Sequence, residues 1–287
     1  MIFEWLSCMD GMYVSSFGSR SSHSIEIMRV CKFWTNIAMN TVSLWQKIEV
    51  RTRGNWLAIA LPRSKGMPLD VIVHDADRIL SSTAPLLVGE APRLRSLKVL
   101  DAHKDKPVDV LENAILAVDR LPCLETLVVE YLGNGLAPLK LYSFSKNDRF
   151  PALHFLDLNS LFLPWTSSIF RQLRYLRIHE ACVLDSDEVP LSVFLDMLRT
   201  CQCLEILDFP CVSFIDYSGH EHNRAGCAVF LPRIRSFHWE WPDLWAIESP
   251  THVYHVLEHL QFPPSADIHL DLAVFLDGDG SELPRSK

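Results

Sequence analysis

One short block constrains the fold of this 287-residue chain more than any other feature: Pro-x-Leu-x-x-Leu-x-Φ, where Φ is apolar. It runs from Pro92 through Leu94 and Leu97 to Val99, from Pro122 through Leu124 and Leu127 to Val129, and from Pro151 through Leu153 and Leu156 to Leu158. Two copies lack the proline, Leu173-x-x-Leu176-x-Ile178 and Leu204-x-x-Leu207-x-Phe209, and a looser one links Pro232, Ile234, Phe237 and Trp239. The first apolar residues of successive blocks lie 30, 29, 20, 31 and 30 positions apart. A recurring interval of this size marks stacked units, none of which can bury its apolar side alone. Such an array presents a long surface to a partner, not a ready-made catalytic pocket.

Within each block the apolar residues alternate with others at a period of two, which is the pattern of a strand buried on one face. Leu69-Asp70-Val71-Ile72-Val73 reads the same way, and Ile48-Glu49-Val50 and Ile268 to Leu272 read as strands before and after the blocks. Between strands the spacing turns helical: Val108, Leu111, Ile115 and Val118; Leu191, Phe194, Leu195 and Leu198; Val253, Val256, Leu257 and Leu260. Pro190 and Pro250 stand where a first helical residue belongs, with Ser249 as a candidate N-cap. Asp187 and Glu188 precede the second of these helices and Arg199 ends it, as the helix dipole favours. Strand, turn and helix in repetition predict an α/β leucine-rich repeat solenoid (a horseshoe) over residues 54–275. A polar tail, 276–287, follows, and a small helical module, 1–50, precedes the array.

In that architecture the residues between the leucines face outward in rows on the concave side. The rows contain Ser96 and Lys98; Thr126, Val128 and Glu130; Phe155, Asp157 and Asn159; Tyr175, Arg177 and His179; Asp208; and Ser236, His238 and Glu240. The centre sets an aromatic beside a charge twice over. Tyrosine and arginine are enriched among residues that dominate binding energy. Phe155, Asp157, Tyr175, Arg177 and His179 are therefore the candidate contacts to a target protein.

The charge of −8 is unevenly spread, with 12 Lys/Arg against 8 Asp/Glu in residues 1–100 and 15 against 27 thereafter. An acidic array lacks the basic face that phosphate backbones require, so nucleic acid is not an expected partner. The longest apolar stretch, Trp56 to Pro62, is far too short to span a bilayer, so no membrane association is expected. The first residues carry Glu4 and Asp10 without a basic n-region or a long apolar run, so no signal peptide is expected. Eight cysteines in such a chain read as reduced core thiols. An intracellular protein, cytoplasmic or nuclear, fits these features.

Residues 1–50 stand outside the repeat. Ile27, Val30, Cys31, Trp34, Ile37 and Ala38 define one apolar helical face; Thr41-Val42-Ser43 interrupts it, and Leu44-Trp45 follows. The run Val30-Cys31-Lys32-Phe33-Trp34, then Ile37-Ala38, then Ser43-Leu44-Trp45, resembles the second half of an F-box, and Ile2-Phe3-Glu4-Trp5-Leu6 resembles the end of that family's first helix. The family's opening Leu-Pro-x-Glu would fall just upstream of Ile2, so the F-box is read as partial. Together with leucine-rich blocks, the arrangement is similar to F-box proteins of mushroom-forming fungi. The resemblance implies a non-enzymatic substrate receptor of a Skp–cullin–F-box ubiquitin ligase. Ile2, Phe3, Leu6, Val30, Cys31, Trp34, Leu44 and Trp45 would then face or support a Skp-family adaptor, and the repeats would hold an unknown target. Trp34 and Trp45 also suit a plain cover over the first repeat.

Other constellations carry less. Cys201-x-Cys203, Cys211, His220-x-His222 and Cys227 have zinc-ligand chemistry, yet Cys-x-Cys is tighter than the usual pairing and no second cysteine pair follows, so no metal is expected. Asp277-Gly278-Asp279-Gly280-Ser281 has the opening of a calcium loop, but Glu282 comes too early to close it. No phosphate-binding glycine motif and no Gly-x-Ser-x-Gly elbow occurs, so neither cofactor nor catalytic residue is expected. Two alternatives remain beside the receptor: a repeat scaffold that has lost adaptor binding, and a hydrolase built on Cys211, His220 and Cys227.

Overall fold

A computed structural model describes residues 28–51, 55–103, 105–118, 120–132, 139–141, 149–179, 191–210, 228–241 and 256–272. The elements run α1 (Lys32–Asn40), a 3₁₀ turn (Val42–Trp45), β1 (Lys47–Val50), α2 (Asn55–Arg63), β2 (Leu69–Val73), α3 (Ala76–Gly89), β3 (Leu94–Ala102) and α4 (Asp105–Val110), which continues as a π-turn over Leu111–Ile115. There follow β4 (Thr126–Tyr131), β5 (Leu139–Lys140), β6 (Phe155–Asn159), β7 (Leu161–Phe162), a 3₁₀ turn (Ser168–Arg171), β8 (Tyr175–His179) and α5 (Leu191–Thr200). The chain continues through β9 (Ile206–Pro210), β10 (Val229–Phe230), β11 (Ser236–Trp241), β12 (Leu260–Gln261) and β13 (Asp267–Leu272).

Nine of these strands form one open sheet in the order β1-β2-β3-β4-β6-β8-β9-β11-β13, and every pairing within it is parallel. Strand order therefore follows chain order. Parallel neighbours need a crossover connection between them. Helices α3, α4 with its π-turn, and α5 supply several, while two-residue strand pairs, β5 with β7 and β10 with β12, lie in others. The short 20-residue step between Leu153 and Leu173 is closed by β7 and the 3₁₀ turn, with no α-helix.

The proline of the motif has a local cause. In Leu121-Pro122-Cys123-Leu124 the last N–H donates to the first carbonyl, and the same bond recurs from Leu153 to Phe150 and from Ile234 to Leu231. Proline thus sits second in a tight turn, where its fixed φ is already correct. Leu204 makes the same bond to Cys201 without a proline. The residue before each turn is buried, whether Leu121, Phe150, Cys201 or Leu231, and this explains why Cys201 is a core residue. After the turn, the residue following the first leucine clamps neighbouring repeats through backbone bonds. Glu125 N–H donates to Arg95 O, His154 to Glu125, Arg174 to His154, Glu205 to Arg174 and Arg235 to Glu205.

Register aligns the blocks. Ile48, Val71, Leu97, Leu127, Leu156, Leu176, Leu207, Phe237 and Ile268 are successive partners across the sheet, and all but the last are fully buried. Val50, Val73, Val99, Val129 and Leu158 form a second buried row two residues on. One continuous core joins these rows to the inner faces of the helices. On α3 the buried set Ala76, Ile79, Leu80, Thr83, Ala84 and Leu87 recurs at helical spacing. Burying each large aliphatic of the rows is worth about 1.5–3 kcal/mol.

Several sequence readings are met and some are extended. The helix expected around Leu191 to Leu198 and the strand at Ile268 to Leu272 are present, as is the helical segment before Ala38. Leu260, counted with a helical stretch, lies in β12 instead, paired with Val229. β1 joins the sheet through β2, so the sheet begins at Lys47, inside the first 50 residues. No helix among the described residues is long and apolar enough to cross a membrane.

Candidate functional site

The sheet face opposite the core carries the rows of interleaved residues. One row runs Lys98, Val128, Asp157, Arg177, Asp208, His238 and His269 in direct register across seven strands. The row beside it runs Ser96, Thr126, Phe155, Tyr175, Ile206, Ser236 and Asp267. Alternation of period two brings these side chains to one face, and residues some 30 positions apart become neighbours. From Ser96 to His238 they are half-buried, with Asp208 more enclosed and Ile206 more open.

At the centre the rings of Phe155 and Tyr175 stack 4.0 Å apart and within 4° of parallel. Cross-strand aromatic pairs of this kind contribute about 0.5–1.5 kcal/mol beyond their buried area. Beside them, Arg177 Nε donates to Asp208 Oδ2 at 2.5 Å, while Arg177 Nη1 lies 4.0 Å from Asp157 Oδ2. The other oxygen of Asp208 meets His238 Nδ1 at 2.9 Å. A carboxylate only accepts, so Nδ1 carries the proton in that contact. Asp208 is just 6% exposed, and its two oxygens are met by partners from strands on both sides. One strand further on, the rings of His238 and His269 are 6.5 Å apart, and His269 Nε2 lies 3.0 Å from Asp267 Oδ2.

Titration follows from this crowding. Burial pushes the Asp157 carboxyl up to about 6; Arg177 and Lys98 oppose the rise, while Asp208 and Glu130 add to it. Burial also raises the Tyr175 phenol. For Arg177, burial works against the charge, but the bond to Asp208 together with the nearby negative charge of Asp208 and Asp157 outweighs it and holds the guanidinium above its ordinary value.

The structure brings Phe155, Asp157, Tyr175 and Arg177 together, and His179 closes β8 opposite Asn159. Asp208 and His238 belong to the same network, although the sequence reading did not single them out as contacts. Reading the residue before each final Φ as a column would have found them, because that column alternates in charge from Asp157 to Asp208.

The residues assigned to adaptor binding are more dispersed in burial. Ile2, Phe3 and Leu6 lie outside the described residues. Val30 and Cys31 are exposed ahead of α1, Trp34 is half-buried on it, and Leu44 packs against the core. Trp45 is 1% exposed; its Nε1 donates to Ala38 O at 2.8 Å, its ring lies 5.5 Å from that of Trp56, and the Arg63 guanidinium sits 5.2 Å above it. Its contribution to any docking surface is therefore through packing. Phe33, the residue before Trp34 in the Val-Cys-x-x-Trp run, is 69% exposed, and Val30, which opens that run, is exposed as well.

Of the cysteine and histidine set, Cys201 is buried with its Sγ 3.3 Å from Met197 O, and burial pushes its thiol up to about 12. That disfavours the thiolate a metal or a nucleophile needs. Cys211, His220, His222 and Cys227 lie outside the described residues, as does Asp277 to Ser281. Among the described residues there is no cluster of three metal-ligating side chains. A cavity of about 340 Å³ between the 3₁₀ turn at Ser168–Arg171 and α5 is lined by Thr166, Ser168, Arg171, Asp196 and Thr200 among others, with no cysteine or histidine. Compared with family models, with curated proteins and with solved structures, the chain finds no match in any of the three.

Proposed function

We propose that this protein is a leucine-rich repeat solenoid that works without catalysis, as a receptor whose sheet face holds a target protein. The observation that carries the reading is the in-register row from Asp157 to His238, flanked by the stacked Phe155 and Tyr175. Aromatic and arginine side chains held rigid by their neighbours lose little freedom on binding, which is what a contact centre requires. In this reading residues 1–50 form a partial F-box that docks a Skp-family adaptor and through it a cullin complex, with exposed Val30 and Phe33 as its apolar contacts. The chain then acts by proximity, raising the effective concentration of a target near the ubiquitin-transferring subunits.

The test is reconstitution of the full chain with a purified Skp-family adaptor, followed by size-exclusion chromatography. A one-to-one complex that Phe33→Ser abolishes supports the ligase role. No complex at micromolar concentrations removes that role.

The second reading, a repeat scaffold without an adaptor, is favoured by one observation. Trp45, central to the F-box resemblance, is consumed in closing the end of the sheet against Trp56 and Arg63. In that case the segment before β1 is an end cover and the sheet face alone binds.

A further inference from the structure

We propose that the group seated at the centre of the sheet face is a basic side chain, an arginine or lysine of the bound protein, held by Asp157 against the ring of Phe155. This rests on the receptor reading above and names the chemistry it selects.

Three observations converge. The first is charge. Around the centre stand three carboxylates, Glu130, Asp157 and Asp208, against two cations, Arg177 and Lys98. Arg177 is engaged by Asp208 at 2.5 Å and reaches Asp157 only at 4.0 Å. An incoming carboxylate or phosphate would have to displace Asp208 from Arg177 while facing the other two acids. An incoming cation is opposed by Arg177 and Lys98 but need displace neither, because Arg177 keeps its bond to Asp208 and the acids outnumber the cations three to two.

The second is the state of Asp157. Its carboxyl titrates near 6 because burial is incompletely compensated by Arg177 and Lys98. A further cation beside it restores the balance, so binding and ionisation of Asp157 favour one another.

The third is shape. One side of the Phe155 ring is covered by Tyr175, parallel to it at 4.0 Å. The other side looks across β4, where the register partner is the short Thr126 and the next outward residue on that strand is Val128, opposite Asp157. A guanidinium or ammonium placed there lies against an aromatic face, with Asp157 two residues along the same strand, while Glu130, in register with Asn159, adds negative charge beyond Asp157. Cation–π contact and a carboxylate together are a recognised basis for selecting such side chains.

The probe is a phage-displayed library of random linear peptides, selected on the full chain at neutral pH. Selected peptides are resynthesised and titrated against wild type, Asp157→Asn and Phe155→Leu, two variants whose folding is checked by thermal unfolding. The expected result is that the peptides share an arginine or lysine, and that replacing it with glutamine weakens binding about tenfold. Asp157→Asn should weaken binding comparably and add nothing further to the glutamine peptide, because both changes remove one contact. Affinity should also fall as pH is lowered from neutrality through about 6, and Asp157→Asn should flatten that profile. The charged groups around Asp157 are Arg177, Asp208, Lys98 and Glu130, with His238 bonded to Asp208. Peptides that lose affinity on Phe155→Leu but carry no basic residue would overturn this inference and leave the receptor reading standing. Peptides indifferent to both variants, or a selection yielding no binder, would overturn both.

Discussion

The two ends of the nine-stranded sheet use the same kinds of residue and reach opposite states. At the first end, Ile48 and Val50 of β1 are fully buried, covered by Trp45 of the 3₁₀ turn, by Trp56 and by α2. At the last, Ile268 and Leu270 of β13 occupy the same rows but are 45% and 38% exposed. Their immediate partners, Phe237 and Trp239, are closed off completely. An apolar row position is thus buried by what stacks beyond it, and its own residue type decides little. Stacked repeats need their terminal faces covered, and an uncovered edge strand offers unpaired backbone groups to a partner. The described residues contain such a cover for β1 and none for β13.

The largest expected effect tests the closed end. Trp45→Ala should cost about 3–5 kcal/mol in urea-induced unfolding, the range for deleting a large buried aromatic. A loss below about 1 kcal/mol would show that the end cover unfolds independently of the sheet. Next comes the centre. Asp208→Asn should cost about 1–3 kcal/mol, since it weakens two charge-assisted bonds in an enclosed site, and His238→Gln should cost less because only one of them is removed. Equal losses would mean that Arg177 contributes nothing through Asp208. At the open end, Ile268→Ala should cost less than about 1 kcal/mol, because a half-exposed side chain has little surface left to lose. Amides of β13 should exchange with solvent faster than those of β6. A cost near that of Trp45→Ala would reveal a cover over β13 and dissolve the contrast.

The smallest effect is a slope. The folded-state carboxyl of Asp157 titrates at about 6, above its ordinary 3.8, so the folded protein holds that proton more tightly than the unfolded chain. The unfolded state then binds fewer protons between these values, and stability falls as pH rises through the window. The difference in urea midpoint between wild type and Asp157→Asn, followed over that window, should shift in that direction. A difference independent of pH would place Asp157 in an ordinary solvated setting.

Much of this was legible in the chain. The position of each repeat strand, the side its leucines take and the outward rows all follow from a period of two inside a longer repeat. The burial of Cys201 was legible too, since it stands where Leu121 and Leu231 stand before their own turns. Helix α3 was harder to read because Pro85 and a run of Ser81, Ser82 and Thr83 interrupt its apolar pattern. The Ser82 and Thr83 hydroxyls bond back to carbonyls of the same helix, and tertiary burial of Ile79, Leu80 and Leu87 outweighs weak propensity. The link between Arg177, Asp208 and His238 was not readable as a contact, because 31 and 30 residues separate its neighbours.

The sequence by itself determined that these segments are strands of stacked units with one greasy side, because periodicity is a local property that burial must respect. Only the tertiary structure decided that the blocks align residue for residue, since cross-strand pairing depends on contacts far apart in the chain. That alignment turned scattered acids and bases into one connected row, and among the described residues it sealed one end of the sheet with tryptophan and set no cover over the other.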